Sequence, residues 1–422
     1  MTRSTVAFSQ VSALEILDSR GNPTVQVTLV SDDGVTYVAG VPSGASTGTR
    51  EAVELRDGDK GRYAGKGVTQ AVGHVNGEIA DLLKGRSWSS LAEVDEALIA
   101  LDGTPTKARL GANAIVGVSM AAARAFAATT PLWQSLQPAG VAPRLPVPHF
   151  NVLNGGVHAP NDLDFQEFMV APVGAPTFPE ALRAGAAVYA RLRALLQAKG
   201  EATGLGDEGG FAPNIAKPED VLTLIVQAIA DAGYPTGRAG VAIALDPAAS
   251  EFYRDGAYHV AGERLTSDDM IARYEAIATD FPVWSLEDGL AEGDWDGWQR
   301  LTARLGDRLQ LVGDDIFVTN PAIITEAIGR KVGNAALIKV NQIGSITETL
   351  DAQRICREAG YTQMISHRSG ETSDSFIADL AVATGTGQLK TGAPARGERV
   401  AKYNRLLEIA AAHPDLPYGL IS

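Results

Sequence analysis

The chain has 422 residues, of which 45% are hydrophobic and 20% are charged, so it can bury a large core and is not intrinsically disordered. With 50 Asp and Glu against 36 Lys and Arg, the formal net charge is −14, which disfavours nucleic acid and anionic membrane surfaces as partners. The single cysteine, Cys356, excludes an intramolecular disulfide and suits a cytoplasmic location.

The first 135 residues predict a small α+β domain. After a strand at 11–17, apolar and polar residues alternate at 25–29 and again at 35–41, which predicts an antiparallel meander. Helices are then predicted at 67–84, 91–101 and 111–128. Five prolines between Pro131 and Pro148 indicate a boundary, so we expect an N-terminal capping domain at 1–135 and a catalytic domain at 136–422.

Six short apolar runs in the second part each end in a polar or charged residue. Those residues are Asp246, Glu287, Asp314, Lys339, His367 and Lys390. They follow one another at steps of 41, 27, 25, 28 and 23 residues, and one strand–helix unit needs about 30. Because parallel strands of a barrel end on one face, we predict a (βα) barrel with these side chains around its centre.

Three carboxylates at neighbouring strand ends repel each other, at a cost of a few kcal/mol for each contact at about 4–6 Å. A hard divalent cation removes this conflict, and oxygen ligands without Cys or His favour Mg²⁺ over Zn²⁺. We therefore predict that Asp246, Glu287 and Asp314 bind Mg²⁺. The alternative is that Asp246 and Asp314 cap helices and that Glu287 is a surface residue.

Lys339 and Lys390 belong to the same set of strand ends. A lysine acts as a general base only if its pKa falls from about 10.4 to about 7–8, which a bound cation and a second lysine nearby can cause. The alternative is that both lysines only neutralise the acidic cluster through ion pairs.

Two further acids stand in unusual surroundings. Glu208 lies in the glycine-rich loop Gly206–Gly210, and Glu167 is flanked by apolar residues, which raise a carboxyl pKa and suit an acid catalyst. Each could instead be an ordinary ion-paired glutamate. The segment Gly204–Gly209 matches a dinucleotide fingerprint, but we reject that function because two acids would face the pyrophosphate and no clear strand precedes it.

Two loops carry groups that can bind an anion or close over it. Ser366–Thr372 collects hydrogen-bond donors, and Arg368 in it can hold phosphate bidentately. Ser43–Gly48 consists of small and hydroxyl residues, a composition typical of a mobile lid. Each is a weak signal alone, because loops of this composition are common.

Ten segments, in order along nearly the whole chain, carry a resemblance to a known family. They are ILDSRGNPTV (16–25), VPSGASTG (41–48), LNGGVH (153–158), QEFM (166–169), GDEGG (206–210), SLEDGL (285–290), LVGDD (311–315), IKVNQIG (338–344), ISHRSGET (365–372) and LKTGAP (389–394). The sequence resembles the enolase family, the 2-phosphoglycerate dehydratases of glycolysis.

Carried over position by position, the resemblance implies a role for each candidate residue. The ligands of a first Mg²⁺ would be Asp246, Glu287 and Asp314, and a second Mg²⁺ shared with phosphate would be bound by Ser46 of the lid. The catalytic groups would be Lys339, which removes the C2 proton, Glu208, which assists departure of the C3 hydroxide, Glu167 beside it, and His158. The other substrate contacts would be Lys390 at the carboxylate, Arg368 and Ser369 at the phosphate, and Gln166, His158, His367 and Glu167 around the closed site.

The resemblance also implies an enolase-type (βα)8-like barrel, ββαα(βα)6, with a smaller N-terminal α+β domain. It implies a Mg²⁺-dependent lyase, phosphopyruvate hydratase, that converts 2-phospho-D-glycerate reversibly to phosphoenolpyruvate through an enediolate. Members are usually homodimers, so a homodimer or higher homo-oligomer is expected.

Two prolines depart from the commoner family pattern and bear on lid movement. Pro247 directly follows Asp246, and Pro160 stands two residues after His158. They leave open an alternative, a paralogue of specialised metabolism that acts on a related phosphorylated or phosphonate acid. An acid-sugar dehydratase is disfavoured by Arg368 and Ser369, and a non-catalytic binding protein is disfavoured by the complete residue set.

Overall fold

A computed structural model describes residues 2–45 and 47–420. The strands of its N-terminal part are β1 (Val6–Leu17), β2 (Pro23–Ser31), β3 (Thr36–Gly40) and β4 (Ser87–Trp88). They form one sheet in the order β3-β2-β1-β4, and the first three pair antiparallel, as the meander prediction expected. The alternating residues Val25, Val27 and Leu29 are fully buried, because this face of the sheet packs on the helices.

The described helices of this part are α1 (Thr69–His74), α2 (Ala80–Leu83), α3 (Leu91–Asp102), α4 (Ala112–Ala127) and α5 (Leu132–Ser135). The helix predicted at 67–84 is divided by a π-helical turn, Val75–Ile79, where Gly77 leaves helical geometry. Helix α4 is buried on nearly every side, and its small residues allow close packing. A Cβ at Gly117 would stand 2.7 Å from the side chain of Val27 on β2.

The second part is built on a closed barrel. Its described strands are β5 (Val147–Asn154), β6 (Glu167–Ala171), β7 (Ala242–Asp246), β8 (Tyr253–Arg254), β9 (Ala257–Val260), β10 (Glu263–Leu265), β11 (Val283–Glu287), β12 (Gln310–Gly313), β13 (Ala335–Ile338), β14 (Thr362–Ser366) and β15 (Gln388–Lys390). Within the described residues the barrel order is β5-β6-β7-β11-β12-β13-β14-β15, and β8, β9 and β10 form a small separate sheet.

The described helices of this part are α6 (Phe178–Ala198), α7 (Pro218–Asp231), α8 (Ser267–Asp280), α9 (Trp295–Leu305), α10 (Pro321–Arg330), α11 (Val340–Ile343), α12 (Ile346–Glu358), α13 (Phe376–Thr384) and α14 (Gly397–Ala412). The hydroxyls of Thr177 and Ser345 accept backbone N–H groups at the starts of α6 and α12 and so cap both helices. None of the described helices has both the length and the hydropathy that a bilayer span requires.

Strand β6 runs against the direction of the other barrel strands. It pairs antiparallel with both β5 and β7, whereas the remaining neighbours pair parallel. Its first residue, Glu167, therefore lies at the same end of the barrel as Asp246, the last residue of β7. The order of elements is ββαα(βα)6, which confirms the predicted fold class.

The N-terminal part lies over the end of the barrel where the parallel strands finish. Ser43 exchanges backbone hydrogen bonds of 2.7 and 2.8 Å with Gly370, in the loop after β14. Ala52 donates to the carbonyl of Gln342, in the segment after β13, at 2.8 Å. The strand ends are thereby covered and withdrawn from solvent. The exact division of the chain into domains at 135/136 stays a prediction.

Candidate active site

The six predicted strand-end residues line one enclosed centre. All of them are buried, with exposed fractions between 1% for Glu287 and His367 and 8% for Lys339. The alternative that Glu287 is a surface residue is therefore wrong. So is the idea that Asp246 and Asp314 cap helices, because Thr266 and Asn320 occupy the cap positions of α8 and α10.

Lys390 is the central cation of the site. Its Nζ lies 2.9 Å from Oδ2 of Asp246, 2.8 Å from Oε1 of Glu287 and 2.9 Å from Oε2 of Glu167. Burial alone would lower the pKa of this ammonium, but the surrounding carboxylates raise it well above its ordinary value, so Lys390 is charged. The amine gathers acids from three strands.

Lys339 and Asp314 form a second buried pair beside the first. Nζ of Lys339 lies 2.5 Å from Oδ2 of Asp314, whose other oxygen accepts a hydrogen bond from Gln342 at 2.8 Å. Burial opposes charge on both groups, yet each is stabilised by the other, so the pKa of Asp314 is lowered and that of Lys339 is raised. Both lysines are ion-paired with the acidic cluster, as the simpler sequence-based alternative expected.

The acidic groups at this end of the barrel fit a hard cation. Glu287 is buried, and its Oε2 has no hydrogen-bond partner among the described residues. Burial, followed by repulsion from Asp246, raises the pKa of Glu287 well above its ordinary value. A buried carboxylate with an unused oxygen, close to two others, is stabilised by a divalent cation with oxygen ligands.

Two sets of side chains bring their ligand atoms within 4.8 Å of one another in the described part of the chain: His158, Glu167 and Glu208, and Asp288, Asp314 and Asp315. Asp314 is the one predicted metal ligand in either set. The carboxylate of Asp288 already accepts the backbone N–H groups of Asp314 and Asp315, at 2.9 and 2.8 Å. Asp288 thus fixes the turn after β12 and holds Asp314 in place.

Glu208 and Glu167 stand on either side of His158. Nδ1 of His158 lies 3.7 Å from Oε1 of Glu167 and 3.8 Å from Oε1 of Glu208. Burial and the neighbouring Glu208 raise the pKa of Glu167 well above its ordinary range. Burial acts in the same sense on Glu208, but the histidines and Arg399 more than offset it and hold its pKa well below the ordinary value. The pKa values of the two acids are therefore shifted in opposite directions, that of Glu167 upwards and that of Glu208 downwards.

His367 completes the group around Glu208. Its Nε2 lies 3.1 Å from Oε2 of Glu208, which also accepts the side-chain amide of Asn151 at 2.9 Å. Burial lowers the pKa of His367 to about 3, so the imidazole is neutral. Gln166, which directly precedes Glu167 in the sequence, is also buried. Its Oε1 has no hydrogen-bond partner among the described residues.

Arg368 is engaged by an acid from the N-terminal part. Its guanidinium donates to both carboxylate oxygens of Glu51, at 2.9 and 3.1 Å, and to Oδ1 of Asn341 at 3.3 Å. Ser369 is also buried, 5% exposed, in the same loop. The predicted anion-binding arginine thus lies in the loop after β14, between Glu51 and Asn341. Ser46, the predicted ligand of a second metal, lies outside the described residues.

Comparisons with known proteins show which family the chain matches. The family models "Enolase, N-terminal domain" and "Enolase, C-terminal TIM barrel domain" match residues 8–136 and 142–415. A protein named Enolase from Acidothermus cellulolyticus is 58% identical over 401 residues, 94% of this chain and 93% of that protein. The chain belongs to the enolase family. The resemblance inferred from ten short segments is thereby confirmed.

Several residues of the site in this enolase-family chain were missed by sequence reasoning. They are Glu51, Asn151, Asp288, Gln342 and Arg399. Asn151 could have been noticed as a polar residue inside the apolar strand 147–154, and Asp288 as the acid directly after Glu287. Glu51 and Arg399 give no local signal, because their partners lie 317 and 32 residues away.

Proposed function

We propose that this chain is a Mg²⁺-dependent phosphopyruvate hydratase, which dehydrates 2-phospho-D-glycerate to phosphoenolpyruvate and catalyses the reverse reaction in glycolysis and gluconeogenesis. One observation carries the proposal: an amine, Lys339, lies within bonding distance of Asp314 in a buried ring that also contains Asp246, Glu287 and Lys390. Family membership supports the same reaction.

The residues proposed to hold Mg²⁺ are Asp246, Glu287 and Asp314, with Ser46 of the lid at a second ion. When bound, these ions would neutralise the negative charge that builds up on the substrate carboxylate as the C2 proton leaves. The unused oxygen of Glu287 supports a cation site in this position. Lys390, which is charged, would face the same carboxylate and stabilise it further.

Lys339 is proposed to take the proton from C2. Its side chain projects from the end of β13 into the ring and is 8% exposed, so bulk water does not compete for it. Lys339 can accept a proton only after losing its own, which requires the charge of Asp314 to be compensated by another cation.

The hydroxide at C3 is proposed to leave with a proton from the Glu208–Glu167 pair. Glu208 would assist the departure, and Glu167, whose pKa is raised well above its ordinary value, would be the member of the pair that carries the proton. His158 is within 4 Å of both acids and would line the closed site with His367 and Gln166. Arg368 and Ser369 would bind the phosphate group, which would then compete with Glu51 for the guanidinium.

We also propose a homodimer. Leu14 and Leu17 of β1 have 48% and 56% of their surface exposed, and Leu205 has 41%. The ion pair between Arg20 and Asp207, 2.9 Å long, joins the chain segments that carry Leu17 and Leu205. A second copy of the chain would cover these apolar side chains, which a monomer leaves in water.

A cytoplasmic location stays a prediction from the single, buried cysteine.

The direct test is turnover of 2-phospho-D-glycerate by the purified chain, followed by the ultraviolet absorbance of phosphoenolpyruvate. We expect turnover with Mg²⁺ and its loss after addition of a chelator. Unphosphorylated glycerate, tested in parallel, should not react, because nothing would then engage Arg368. Absence of phosphoenolpyruvate with Mg²⁺ present would end the proposal.

A further inference from the structure

One arginine beneath the proposed active site has no role in the reaction described above. Arg399 is the third residue of α14, and its side chain is completely buried. A cation in the first turn of a helix opposes the helix dipole, and a buried guanidinium is costly unless its N–H groups are hydrogen-bonded. The position therefore requires compensating acceptors.

Those acceptors come from the loops that carry the proposed substrate contacts. Nη1 of Arg399 donates to the carbonyl of Arg368 at 2.5 Å and lies 2.6 Å from Nδ1 of His367. Nη2 donates to the carbonyls of Ser369 and Asp207, at 2.6 and 3.1 Å. One planar group thus ties the loop after β14 to the loop that holds Glu208.

The contact with His367 fixes which nitrogen of the imidazole carries the proton. A guanidinium only donates hydrogen bonds, so Nδ1 of His367 must accept and cannot be protonated. In a neutral imidazole the proton is then on Nε2, the atom 3.1 Å from Oε2 of Glu208. Nε2 makes no hydrogen bond of standard geometry among the described residues, and Oε2 of Glu208 is the carboxylate oxygen within reach of its N–H, at 3.1 Å.

We propose that Arg399 is a positioning residue, which holds His367 as the Nε2–H tautomer facing Glu208 and keeps the backbone of Arg368 and Ser369 in register with it. The effect of Arg399 on the reaction rests on the proposed function, whereas its effect on the tautomer of His367 does not. Lysine cannot replace it, because a single ammonium cannot span the imidazole and three carbonyls that the planar fork reaches.

The tautomer can be measured directly by ¹⁵N NMR of histidine-labelled protein, with His367→Gln used to assign the signal among six histidines. In the unaltered chain we expect a protonated Nε2 and a bare Nδ1 throughout the neutral range. In Arg399→Lys we expect mixed tautomers or protonation near neutral pH. Signals of His367 that are identical in both proteins would overturn the proposal.

Kinetics supply the second arm. Arg399→Lys is expected to lower kcat about 10- to 100-fold, because His367 and Glu208 lose their alignment, and to raise KM as well, because the backbone of Arg368 and Ser369 is no longer held. Arg396→Lys is the matched control: Arg396 contacts Ser19 and Gly206 from the same turn but does not touch His367. Equal loss of kcat in both variants would show a merely structural role and would overturn the assignment.

The two proposals fail in different ways. If the unaltered chain makes no phosphoenolpyruvate, the proposed function is wrong, while the tautomer of His367 still decides whether Arg399 positions it. If turnover is normal and Arg399→Lys retains both kcat and the tautomer, the inference about Arg399 alone is wrong. Arg399→Met, which removes every donor, should reproduce the loss of the single tautomer if it folds, and a retained tautomer in this variant would also overturn the inference.

Discussion

Glu167 and Asp246 are register partners on β6 and β7, and Nζ of Lys390 lies 2.9 Å from a carboxylate oxygen of each. Glu287 reaches the same amine, so three buried carboxylates share one ammonium. Negative charge is in excess there, and burial disfavours it. The cluster must take up protons, as the raised pKa values of Glu167 and Glu287 indicate, or a cation.

Mg²⁺ should therefore stabilise the fold as well as serve the reaction. We expect Mg²⁺ to raise the thermal midpoint of unfolding, by the equivalent of about 2.7 kcal/mol at 100 times its Kd. Glu287→Gln, which removes a carboxylate with an unused oxygen, should reduce this gain strongly. Glu251→Gln, an acid outside the ring, is the control and should keep it. Calorimetric scans with Mg²⁺ and with chelator measure the effect, and an equal gain in all three proteins would contradict a cation site at Glu287.

Lys339→Ala should abolish turnover while the protein remains folded. Loss of a general base typically lowers the rate by about 10²–10⁴-fold. The circular dichroism spectrum should be unchanged, although the unfolding midpoint will fall because Asp314 loses its partner. Lys199→Ala, at an exposed lysine after α6, should retain full activity. If Lys339→Ala unfolds the chain instead, the residue has a structural role.

Glu51→Gln should make the thermal stability of the chain more dependent on phosphate binding at Arg368. Arg368 would lose its carboxylate partner, and breaking a buried pair costs about 3 kcal/mol or somewhat more. Inorganic phosphate should then raise the unfolding midpoint more in Glu51→Gln than in the unaltered chain, because it no longer competes with a carboxylate. Glu54→Gln, whose acid pairs with Arg56, should behave like the unaltered chain. An equal response to phosphate in all three would show that phosphate does not reach Arg368.

Spacing and hydrophobic pattern were enough to predict the part of the site that lies on strand ends. Asp246, Glu287, Asp314, Lys339, His367 and Lys390 converge because each parallel strand of a barrel ends on the same face. That rule says nothing about Glu167, which begins its strand. It joins the ring because β6 is antiparallel, and its apolar neighbours and the resemblance, not the periodicity, pointed to it.

Long-range pairing was the part that could not be predicted from the sequence. Glu51 meets Arg368 across 317 residues, and Arg399 reaches backbone carbonyls, which any residue type presents. Neither relation leaves a trace in local composition.

The division of the helix at 67–84 was missed for a different reason, since the π-helical turn at Gly77 depends on how that segment packs against β1.

The exposed leucines predict the association of two chains. Leu17→Asp should shift the protein towards monomers in light scattering, because a charge would replace an apolar side chain that is 56% exposed in the single chain and covered in the dimer. Val35→Asp is the matched control, at a residue with 44% exposure in the turn between β2 and β3. A dimer that persists in Leu17→Asp would place the interface elsewhere.

Asp95 makes the contact between the N-terminal part and the barrel sensitive to pH. Its Oδ2 accepts the backbone N–H and the hydroxyl of Thr347 at 2.9 and 2.6 Å, and burial raises its pKa from 3.8 to about 6. The folded chain therefore binds a proton more tightly here than the unfolded chain does. Its contribution to stability is present at low pH and is lost as pH rises through the range from about 4 to 6, a change of about 3 kcal/mol.

Asp95→Asn should remove this dependence, because an amide keeps the acceptor oxygen and never ionises. The difference in unfolding free energy between Asp95→Asn and the unaltered chain should grow in favour of the variant from pH 4 to pH 6 and then level off. Asp374→Asn is the control. The ion pair with Arg124 lowers the pKa of Asp374 despite the opposing effect of burial, so the stability that Asp374 contributes is lost only as pH falls below the ordinary pKa range of an aspartate. Denaturant titrations at several pH values measure both differences, and a constant difference for Asp95→Asn would show that Asp95 is ionised throughout.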